Sequence, residues 1–336
     1  MSKLKVLELF GGIGACSKAL ERLGIDYEIA DYVEIDKYAV KSFNAMHNTN
    51  FEPQDILTWD KDIEVDLISH GSPCQDFSLS GKGEGGDIGT GTRSSLMWET
   101  IRIVEKLKPK YVIWENVKNL LSKKHRHNFD AYLETMEQLG YTNYYQVLNA
   151  KDYGIPQNRE RVFTISIRND IKKDFVFPPK QELKLKLEDM LEDEVDEKYY
   201  FNDLQLDRMS KWKSYQNPLE KVLGKNSISP TITTRIALSD GGGINASTKL
   251  YCEQLTNECN LRNDFKNKKI RYYTELDCWL LMGFEKEDFF KAKDSLEKLN
   301  LTVNQIRGCL YKQAGNSICV PVLEAILRNL LKGADN

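Results

Sequence analysis

Apolar residues in the first half of the chain form short runs, separated by longer stretches in which apolar positions recur with helical spacing. The stretches 15–23 and 96–107 are amphipathic; Gly24 follows the first and Pro109 follows soon after the second, as expected at helix ends. This alternation predicts an α/β fold with a mostly parallel sheet and helices on both faces. The strand-like runs are residues 6–10, 28–33, 65–69, 111–114, 145–148 and 162–167.

The pattern changes after Arg168. Residues 171–200 contain Pro178-Pro179 and an acidic run, and residues 201–270 are rich in Asn, Ser, Thr, Gly and Lys without a persistent helical period. This composition favours a smaller, loop-rich second domain. Helical spacing returns in two later segments, at residues 274–282 and 318–331.

A glycine-rich turn follows the first strand-like run. Phe10, Gly12 and Gly14 lie between that run and the first predicted helix. Glycines let the backbone approach a bound nucleotide, and the helix N-terminus offers free N–H groups. Ser17 stands where the dinucleotide fingerprint has its third glycine, which argues against a nicotinamide or flavin enzyme. On its own, the motif is equally typical of a tight turn between a strand and a helix.

Two acidic residues follow further runs of the same sheet. Glu34 ends the second run, about twenty residues after Gly12, where an acid can accept hydrogen bonds from both ribose hydroxyls. Asp55-Ile56 is interpreted as the end of a third strand, where Asp55 can accept from an adenine amino group. Asp36 has a plainer interpretation as the N-cap of the next helix. The three features favour an adenosine-containing cofactor without a pyrophosphate.

Cys74 follows Pro73 after the strand-like run 65–69, and the segment beyond it is rich in Gly, Ser and Lys. A free cysteine is usually a buried, inert residue. However, ligands bind at the carboxyl ends of parallel strands, so this position favours a nucleophile. His70 lies four residues earlier, but no further pair of ligands completes a zinc site.

Charged residues also cluster near the next strands. Glu115 follows the run 111–114, so it is either a catalytic carboxyl group or a helix N-terminal acid favoured by the helix dipole. Gln157, Arg159 and Arg161 alternate just before the run 162–167, which predicts that the two arginines point the same way. Their plainer interpretation is a pair of surface ion-pair partners.

Composition excludes several classes of protein. The 336 residues are 41% hydrophobic and 29% charged, as in ordinary soluble proteins, and no apolar run is long enough for a membrane span or a secretory signal. Seven cysteines without a Cys-x-x-Cys pair indicate reduced thiols in a cytoplasm. The net charge of −3 hides an uneven distribution, −5 over residues 181–200 and +4 over residues 201–275. The basic part is compatible with phosphate contacts, although such charge alone is more typical of a solvated surface.

Taken together, these motifs resemble the cytosine-5 DNA methyltransferase family. The ordered set covers residues 6–168 and 271–326, and it is far more specific than any single motif. It comprises Phe10-x-Gly12-x-Gly14, Pro73-Cys74-Gln75, Glu115-Asn116-Val117, Gln157-x-Arg159-x-Arg161, residues 271–284 and residues 313–326.

The resemblance implies a fold and a domain division. We expect an α/β, Rossmann-like S-adenosylmethionine-dependent methyltransferase domain with a smaller, loop-rich target-recognition domain. Residues 1–180 plus 312–336 are assigned to catalysis and cofactor binding, and residues 181–311 to target recognition.

The resemblance also implies a mechanism. Cys74 adds as a thiolate to carbon 6 of cytosine, so that carbon 5 can attack the methyl group of S-adenosylmethionine. Glu115 hydrogen-bonds or protonates N3 and holds the exocyclic amine. Arg161 lies near the cytosine O2, and Arg159 supports the pocket or Cys74. Because a paired base hides carbon 6, the cytosine must be flipped out of the duplex.

By the same resemblance, residues 78–93 close over the flipped base, and residues 229–248 read base edges in the major groove. We expect a monomer that binds double-stranded DNA in the cytoplasm of a bacterial cell, encoded by the bacterium or a phage, without a metal. The implied cofactor contacts are Phe10, Gly12, Ile13, Gly14, Glu34, Ile35, Asp55, Ile56, Pro73, Leu96, Asn316 and Ser317. The implied DNA contacts are Gln75, Ser78, Ser80, Arg93, Asn116, Gln157, Arg235 and Thr248.

Two other functions remain open. A tRNA cytosine-5 methyltransferase of the same fold shares the Cys and Glu motifs, although the long Gly-rich segment before residue 271 favours duplex DNA. A catalytically silent DNA-binding regulator would have lost Cys74 or Glu115, and both are present. An adenine-N6 methyltransferase is disfavoured because no Asp/Asn-Pro-Pro-Tyr/Phe element occurs.

Overall fold

The computed structural model describes residues 3–73, 93–211, 222–234, 249–257, 261, 265 and 267–332, apart from the side chains of Arg93 and Ser94. Within these residues, no helix is long and apolar enough to cross a membrane. The strands are β1 (Leu4–Leu9), β2 (Tyr27–Val33), β3 (Leu67–His70), β4 (Tyr111–Val117), β5 (Tyr141–Asn149), β6 (Gln157–Asn158), β7 (Glu160–Arg168), β8 (Ser229–Pro230), β9 (Leu250–Cys252) and β10 (Ile270–Tyr272). The α-helices are α1 (Ala15–Arg22), α2 (Lys37–His47), α3 (Met97–Leu107), α4 (Arg126–Gln138), α5 (Asp203–Ser210), α6 (Glu275–Leu280), α7 (Lys286–Glu297), α8 (Val303–Asn316) and α9 (Val320–Leu331).

The chain divides into two units. Unit 1 comprises Met1–Asn149, Glu160–Pro179 and Val322–Asn336, and unit 2 comprises Ala150–Arg159 and Lys180–Pro321. Residues 150–159 and 312–321, which the sequence assigns to the catalytic domain, therefore fall in unit 2. The assignment of residues 181–311 to target recognition stays a prediction.

A six-stranded sheet in the order β2-β1-β3-β4-β7-β5 forms the centre of unit 1. Strands β1 to β4 are parallel to one another, whereas β7 is antiparallel to both β4 and β5. Parallel neighbours need a crossover of a dozen residues or more, and the ten-residue connection between β5 and β7 is too short for one. The predicted α/β class is confirmed, and each predicted run corresponds to a strand of this sheet.

The core of unit 1 is built on the buried strand β4. Trp114 is 1% exposed, and its ring lies 4.0 Å from the ring of Tyr132 and 5.9 Å from that of Phe129, centroid to centroid. Phe129 and Tyr132 lie on α4, so aromatic packing fixes this helix against the sheet.

The last helix, α9, belongs mainly to unit 1. Its residues Leu323, Ile326, Leu327 and Leu330 are fully buried. Glu324 pairs with Arg22 of α1 at 2.8 Å, and Asn329 donates to the carbonyl of Val176 at 3.1 Å. Helix α9 is therefore joined to the first segment of the chain within unit 1.

The expected strand ending at Asp55-Ile56 is wrong. Residues 51–65 contain no strand, and Asp55 instead begins a turn: its side chain accepts from the backbone of Leu57, and its carbonyl accepts from Thr58 and Trp59. Ile56 and Trp59 enter the core together. Their spacing of three is that of a turn and not the spacing of two found on one face of a strand.

Unit 2 has its own apolar cluster, which includes Leu206 of α5, Leu250 and Cys252 of β9, and Ile270 of β10. The antiparallel pair β9 and β10 leads into α6. Arg271 of β10 and Asp277 of α6 form a buried ion pair at 2.5 Å. Asp277 also accepts from the backbone of Thr274, the N-cap of α6. The segments with predicted helical spacing, 274–282 and 318–331, contain α6 and α9.

Candidate active site

The glycine turn after β1 adopts left-handed backbone geometry at three positions. Phe10, Gly12 and Gly14 have φ values of 53°, 55° and 77°. A Cβ atom on Gly14 would lie 2.4 Å from Nε2 of His47 and 2.6 Å from the ring of Phe43, so packing excludes a side chain there. A Cβ on Gly12 would meet no atom within 4 Å, so space lies open beside the turn.

Glu34 joins the end of β2 to this turn. Its Oε2 accepts from the backbone N–H of Gly12 at 3.1 Å, and its Oε1 accepts from the N–H of Asp36 at 2.9 Å. Burial raises the pKa of Glu34 above its ordinary value. Asp36 caps α2 by accepting from Tyr38, as in its plainer interpretation. Between them the exposed Ile35, 68% accessible, offers an apolar surface at the same strand end.

The chemistry of this region fits an adenosine-containing cofactor. Open space beside Gly12 lets a ligand approach the turn, and each carboxylate oxygen of Glu34 keeps a lone pair after its backbone hydrogen bond. Ribose hydroxyls can therefore still donate to Glu34.

The other expected cofactor contacts differ in exposure. Ile13 and Ile56 are buried, whereas Pro73 and Leu96 are half-buried in unit 1. Asn316 ends α8 in unit 2 and is exposed, and the buried Ser317 is the C-cap of that helix. Their roles in binding stay predictions.

Glu115 lies within β4 and not at a helix N-terminus, because the strand continues to Val117. Arg161 on the antiparallel neighbour β7 places Nε 3.0 Å from Oε1 of Glu115. The contact is ionic without the alignment of a hydrogen bond, and this buried oxygen accepts no hydrogen bond from the residues that the structure describes. A buried acceptor without a donor is costly, so the site is prepared to receive a donor from a ligand.

Cys74 lies outside the described residues, but the segment leading to it is well anchored. Trp114 donates its indole N–H to Oγ of Ser72 at 3.0 Å, and the amide of Asn116 donates to the carbonyl of Ser72 at 3.4 Å. His70 stacks on Trp114 with an interplanar angle of 4°, and burial lowers the pKa of His70 to about 3. His70 is thus a neutral core residue at physiological pH.

Several residues expected to contact substrate are engaged within the protein. Asn116 is 1% exposed, and its Oδ1 accepts from the backbone of Val117. Gln157, fully buried in unit 2, donates to the carbonyl of Leu281 at 2.7 Å and accepts from the backbone of Ile232 at 2.9 Å. In this structure both side chains hold backbone segments in place; their contact with DNA stays a prediction.

Arg159 also binds backbone. Its guanidinium donates to the carbonyls of Ile232, Gly315 and Ser317, all in unit 2. Arg161 instead pairs with Glu115 in unit 1. The two arginines therefore bind different groups: Arg159 binds backbone carbonyls, and Arg161 pairs with Glu115. Neither arginine forms an ion pair on the protein surface. The expectations for Cys74, Gln75, Ser78, Ser80, Arg235, Thr248 and the side chain of Arg93 fall on positions outside the described structure.

Glu8 is a buried acid that sequence reasoning did not single out. It is 3% exposed in β1, and it accepts from the backbone N–H of Ser17 at 2.9 Å and from the Ser17 hydroxyl. Burial raises the pKa of Glu8 to about 7. This contact explains why Ser17 stands where the dinucleotide fingerprint has glycine. The sequence does contain a signal for this residue, because Glu8 is an acid inside the otherwise apolar run 6–10.

Metal-binding residues do not cluster in the described part of the chain, where no group of three or more His, Cys, Asp or Glu side chains could hold an ion. Cys16, Cys252, Cys278, Cys309 and Cys319 are free thiols.

A glycine turn after the first strand, an acid at the end of the second and a buried carboxyl group on the fourth define a nucleoside-binding class of α/β enzymes. Two solved structures share the fold: the Entamoeba histolytica methyltransferase EhMeth and a mutant of Spodoptera frugiperda DNMT2. Their TM-scores are 0.76 and 0.74, at 20% and 23% identity; the alignments cover 100% and 98% of this chain and all of each neighbour.

The chain belongs to the C-5 cytosine-specific DNA methylase family, whose model matches residues 4–332. It is 33% identical to the type II methyltransferase M2.ScrFI of Lactococcus lactis subsp. cremoris, over 98% of this chain and 99% of that protein. It is 32% identical to the type II methyltransferase M.HhaI of Haemophilus parahaemolyticus, over 98% and 95% respectively. An orphan methyltransferase of Bacillus phage SPR, M.SPRI, is 30% identical over 98% of both chains. The resemblance in the motifs is thereby confirmed, and the chain is an enzyme of the DNA (cytosine-5-)-methyltransferase class.

Proposed function

We propose that this enzyme transfers a methyl group from S-adenosylmethionine to carbon 5 of a flipped-out cytosine within a specific short sequence of double-stranded DNA. The observation that carries the proposal is the buried Oε1 of Glu115, which lies beside Arg161 and lacks a hydrogen bond. A cytosine offers the missing donor through its exocyclic amine or its protonated N3. The family assignment and the turn beside Glu34 support the same reaction.

In the proposed mechanism, the Cys74 thiolate adds to carbon 6 of the base while Glu115 delivers a proton to N3. The added electron pair makes carbon 5 nucleophilic. When bound, S-adenosylmethionine would supply the methyl group as an electrophilic sulfonium and leave as the neutral thioether. A water molecule then removes the carbon 5 proton, the carbon 5–carbon 6 double bond re-forms as Cys74 leaves as a thiolate, and the N3 proton returns to Glu115.

Arg161 is placed to stabilise this chemistry. Its guanidinium holds Glu115 and can donate to the cytosine O2, where negative charge develops. Arg159 is assigned a supporting role, because its bonds to three carbonyls fix the backbone that surrounds it.

The cofactor is assigned to the turn formed by Phe10, Gly12, Ile13 and Gly14, with Glu34 accepting from the ribose hydroxyls. Ile35, Asp55, Ile56, Pro73, Leu96, Asn316 and Ser317 complete the proposed set. Residues 229–248 are assigned to sequence recognition, and the enzyme is taken to act as a monomer in a bacterial cytoplasm. Its type II relatives support a place in a restriction-modification system.

The covalent step is tested with the Cys74→Ser variant. A hydroxyl is far less nucleophilic than a thiolate, so methyl transfer to duplex DNA should fall below about a hundredth of wild type. Calorimetry should show that S-adenosylmethionine binding is retained. A duplex with 5-fluorocytosine at the methylated site should trap wild type, because fluorine cannot leave as a cation, and should not trap the variant.

Cys309→Ser provides the matched control, because Cys309 is a half-buried cysteine on α8 that forms no disulfide. It should behave as wild type. Turnover by Cys74→Ser above the stated level would exclude Cys74 as nucleophile. If the enzyme methylates tRNA and not duplex DNA, the proposed mechanism would stand, but the proposed substrate would be wrong.

A further inference from the structure

A basic turn connects β4 to α4. Residues 122–127 read Ser-Lys-Lys-His-Arg-His, and Lys123 and Lys124 are exposed. Neither ammonium group is paired with a carboxylate among the residues that the structure describes. The turn therefore presents two adjacent positive charges to solvent.

The neighbouring cations are occupied. Arg126 pairs with Asp130 at 2.7 Å, donates to the hydroxyl of Tyr145 at 3.2 Å and lies over the ring of Phe129. Lys118 pairs with Glu160 at 3.0 Å. These contacts hold the flanks of the turn in place and leave the unneutralised charge on Lys123 and Lys124.

The backbone of the turn is also fixed. The N–H groups of His125 and Arg126 donate to the carbonyl of Ser122 at 3.0 and 2.8 Å, and Ser122 N–H donates to Asn119. His125 is 2% exposed and anchors the turn in the protein. The two lysines consequently project from a defined structure, so little backbone entropy is lost when they bind a partner.

Topology places this turn at the catalytic edge of unit 1. Strand β4 is parallel to β3, and the segments that follow both strands leave the sheet at their carboxyl ends. Glu115 lies two residues before the end of β4, and the basic turn follows that end after the short helical segment Lys118–Leu121. The free charges and the candidate catalytic carboxyl group thus share one edge.

We propose that Lys123 and Lys124 form a phosphate clamp that contacts the DNA backbone beside the flipped cytosine, independently of base sequence. Lysine ammonium groups suit phosphate as compact point charges. Each phosphate that they neutralise releases counterions, so the contact adds affinity that depends on salt. The inference rests on the proposed function, because it takes duplex DNA as the ligand.

The test compares full-length wild type with the double variant Lys123→Gln/Lys124→Gln. Binding to a target duplex and to a scrambled duplex is measured by fluorescence anisotropy at several salt concentrations. Two lost phosphate contacts should lower the slope of log affinity against log salt by about 2, so affinity changes about tenfold less between 50 and 200 mM salt. Both duplexes should weaken alike, and the methylated sequence should stay the same.

Lys108→Gln/Lys110→Gln is the matched control, because these two exposed lysines precede β4 at the opposite edge of the sheet. Its salt slope should equal that of wild type. For the clamp variant, the KM for DNA should rise while the rate at saturating DNA stays unchanged. An unchanged slope in an enzyme that still methylates DNA would overturn the clamp alone. Failure of wild type to methylate any duplex would overturn the proposed function, whatever the slope.

Discussion

Glu8 shows how one buried side chain links a strand to the helix that follows the glycine turn. Its carboxyl group accepts both the backbone and the hydroxyl hydrogen of Ser17, near the start of α1. A charged carboxylate in this setting loses its hydration, so the protonated form is favoured and the pKa rises to about 7. The stability of unit 1 should therefore depend on pH through this residue.

We predict that Glu8→Gln removes part of the pH dependence of unfolding. The folded protein binds the Glu8 proton up to about pH 7, whereas the unfolded chain releases it near 4.5. Wild type therefore loses stability as pH rises from 4.5 to 7, by up to about 3 kcal/mol, and the loss persists above pH 7. Because glutamine mimics the protonated acid, the Glu8→Gln variant should not lose this stability as the pH rises.

Urea denaturation at pH 5, 6, 7 and 8 measures the effect as the difference in unfolding free energy between variant and wild type. That difference should shift in favour of the variant as pH rises. A constant difference across the range would mean that Glu8 is charged in the folded protein. Glu21→Gln, at an exposed position on α1, is the control and should give no trend.

At the residue scale, the sequence was enough to select candidate site residues but not to predict which groups their side chains bind. Gly12, Glu34 and Glu115 could be selected because their residue types and strand positions match a chemical need. Gln157 and Asn116 were assigned to DNA, yet they are buried and bind backbone. Polar character indicates a hydrogen bond but not its partner, which depends on segments distant in sequence.

Strands β3 and β4 act together as a platform for the segment that leads to Cys74. Ser72 is 3% exposed, its hydroxyl receives the indole N–H of Trp114, and its carbonyl receives the amide of Asn116. Trp114 is itself fixed by the rings of His70 and Tyr132. The backbone at Ser72, two residues before Cys74, is thus held by the neighbouring strand.

We predict that Trp114→Phe slows covalent capture of a 5-fluorocytosine duplex by about one to two orders of magnitude, because small misplacements of a reacting group have costs of that size. DNA affinity should stay unchanged. The matched variant is Trp59→Phe, which loses a similar indole hydrogen bond, 2.7 Å from Asp31, away from this platform. It should lose stability without slowing capture. Equal capture rates for the two variants would remove Trp114 from any positioning role.

Strands with unbroken apolar runs were predictable at the element scale because burial on both faces leaves little choice of residue. Residues 111–114 are of this kind. Residues 162–167 are also buried, although Thr164 and Ser166 interrupt the apolar run. The antiparallel direction of β7 was not evident, since it follows from the short connection after β5 and not from composition. Asp55 was misplaced because Asp55-Ile56 was interpreted as the end of a strand, whereas Asp55 begins a turn.

At the scale of the whole molecule, we expect different parts of the chain to carry out catalysis and recognition of the DNA sequence. We predict that single substitutions of Arg235, Asn245 and Thr248 change which sites are methylated, because flanking bases stay in the duplex and must be read by groups other than those acting on the flipped cytosine. Each lost base contact should reduce discrimination by about 1–3 kcal/mol.

Bisulfite sequencing of host DNA after expression of each variant identifies the methylated sites. Arg93→Ala is the control, and it should lower the rate while keeping the parental site preference. If all three recognition variants keep that preference while Arg93→Ala alters it, recognition belongs to the catalytic part of the chain.

Helix α9 gives the enzyme a property that concerns its synthesis. Unit 1 is assembled from segments at both ends of the chain, and the four buried leucine and isoleucine residues of α9 pack only after unit 2 has been made. A ribosome that stalls or terminates early releases a chain that carries every catalytic motif but leaves an apolar face uncovered. Such a product is a substrate for chaperones and proteases. We therefore expect a chain that ends before α9 to be degraded and not to methylate DNA.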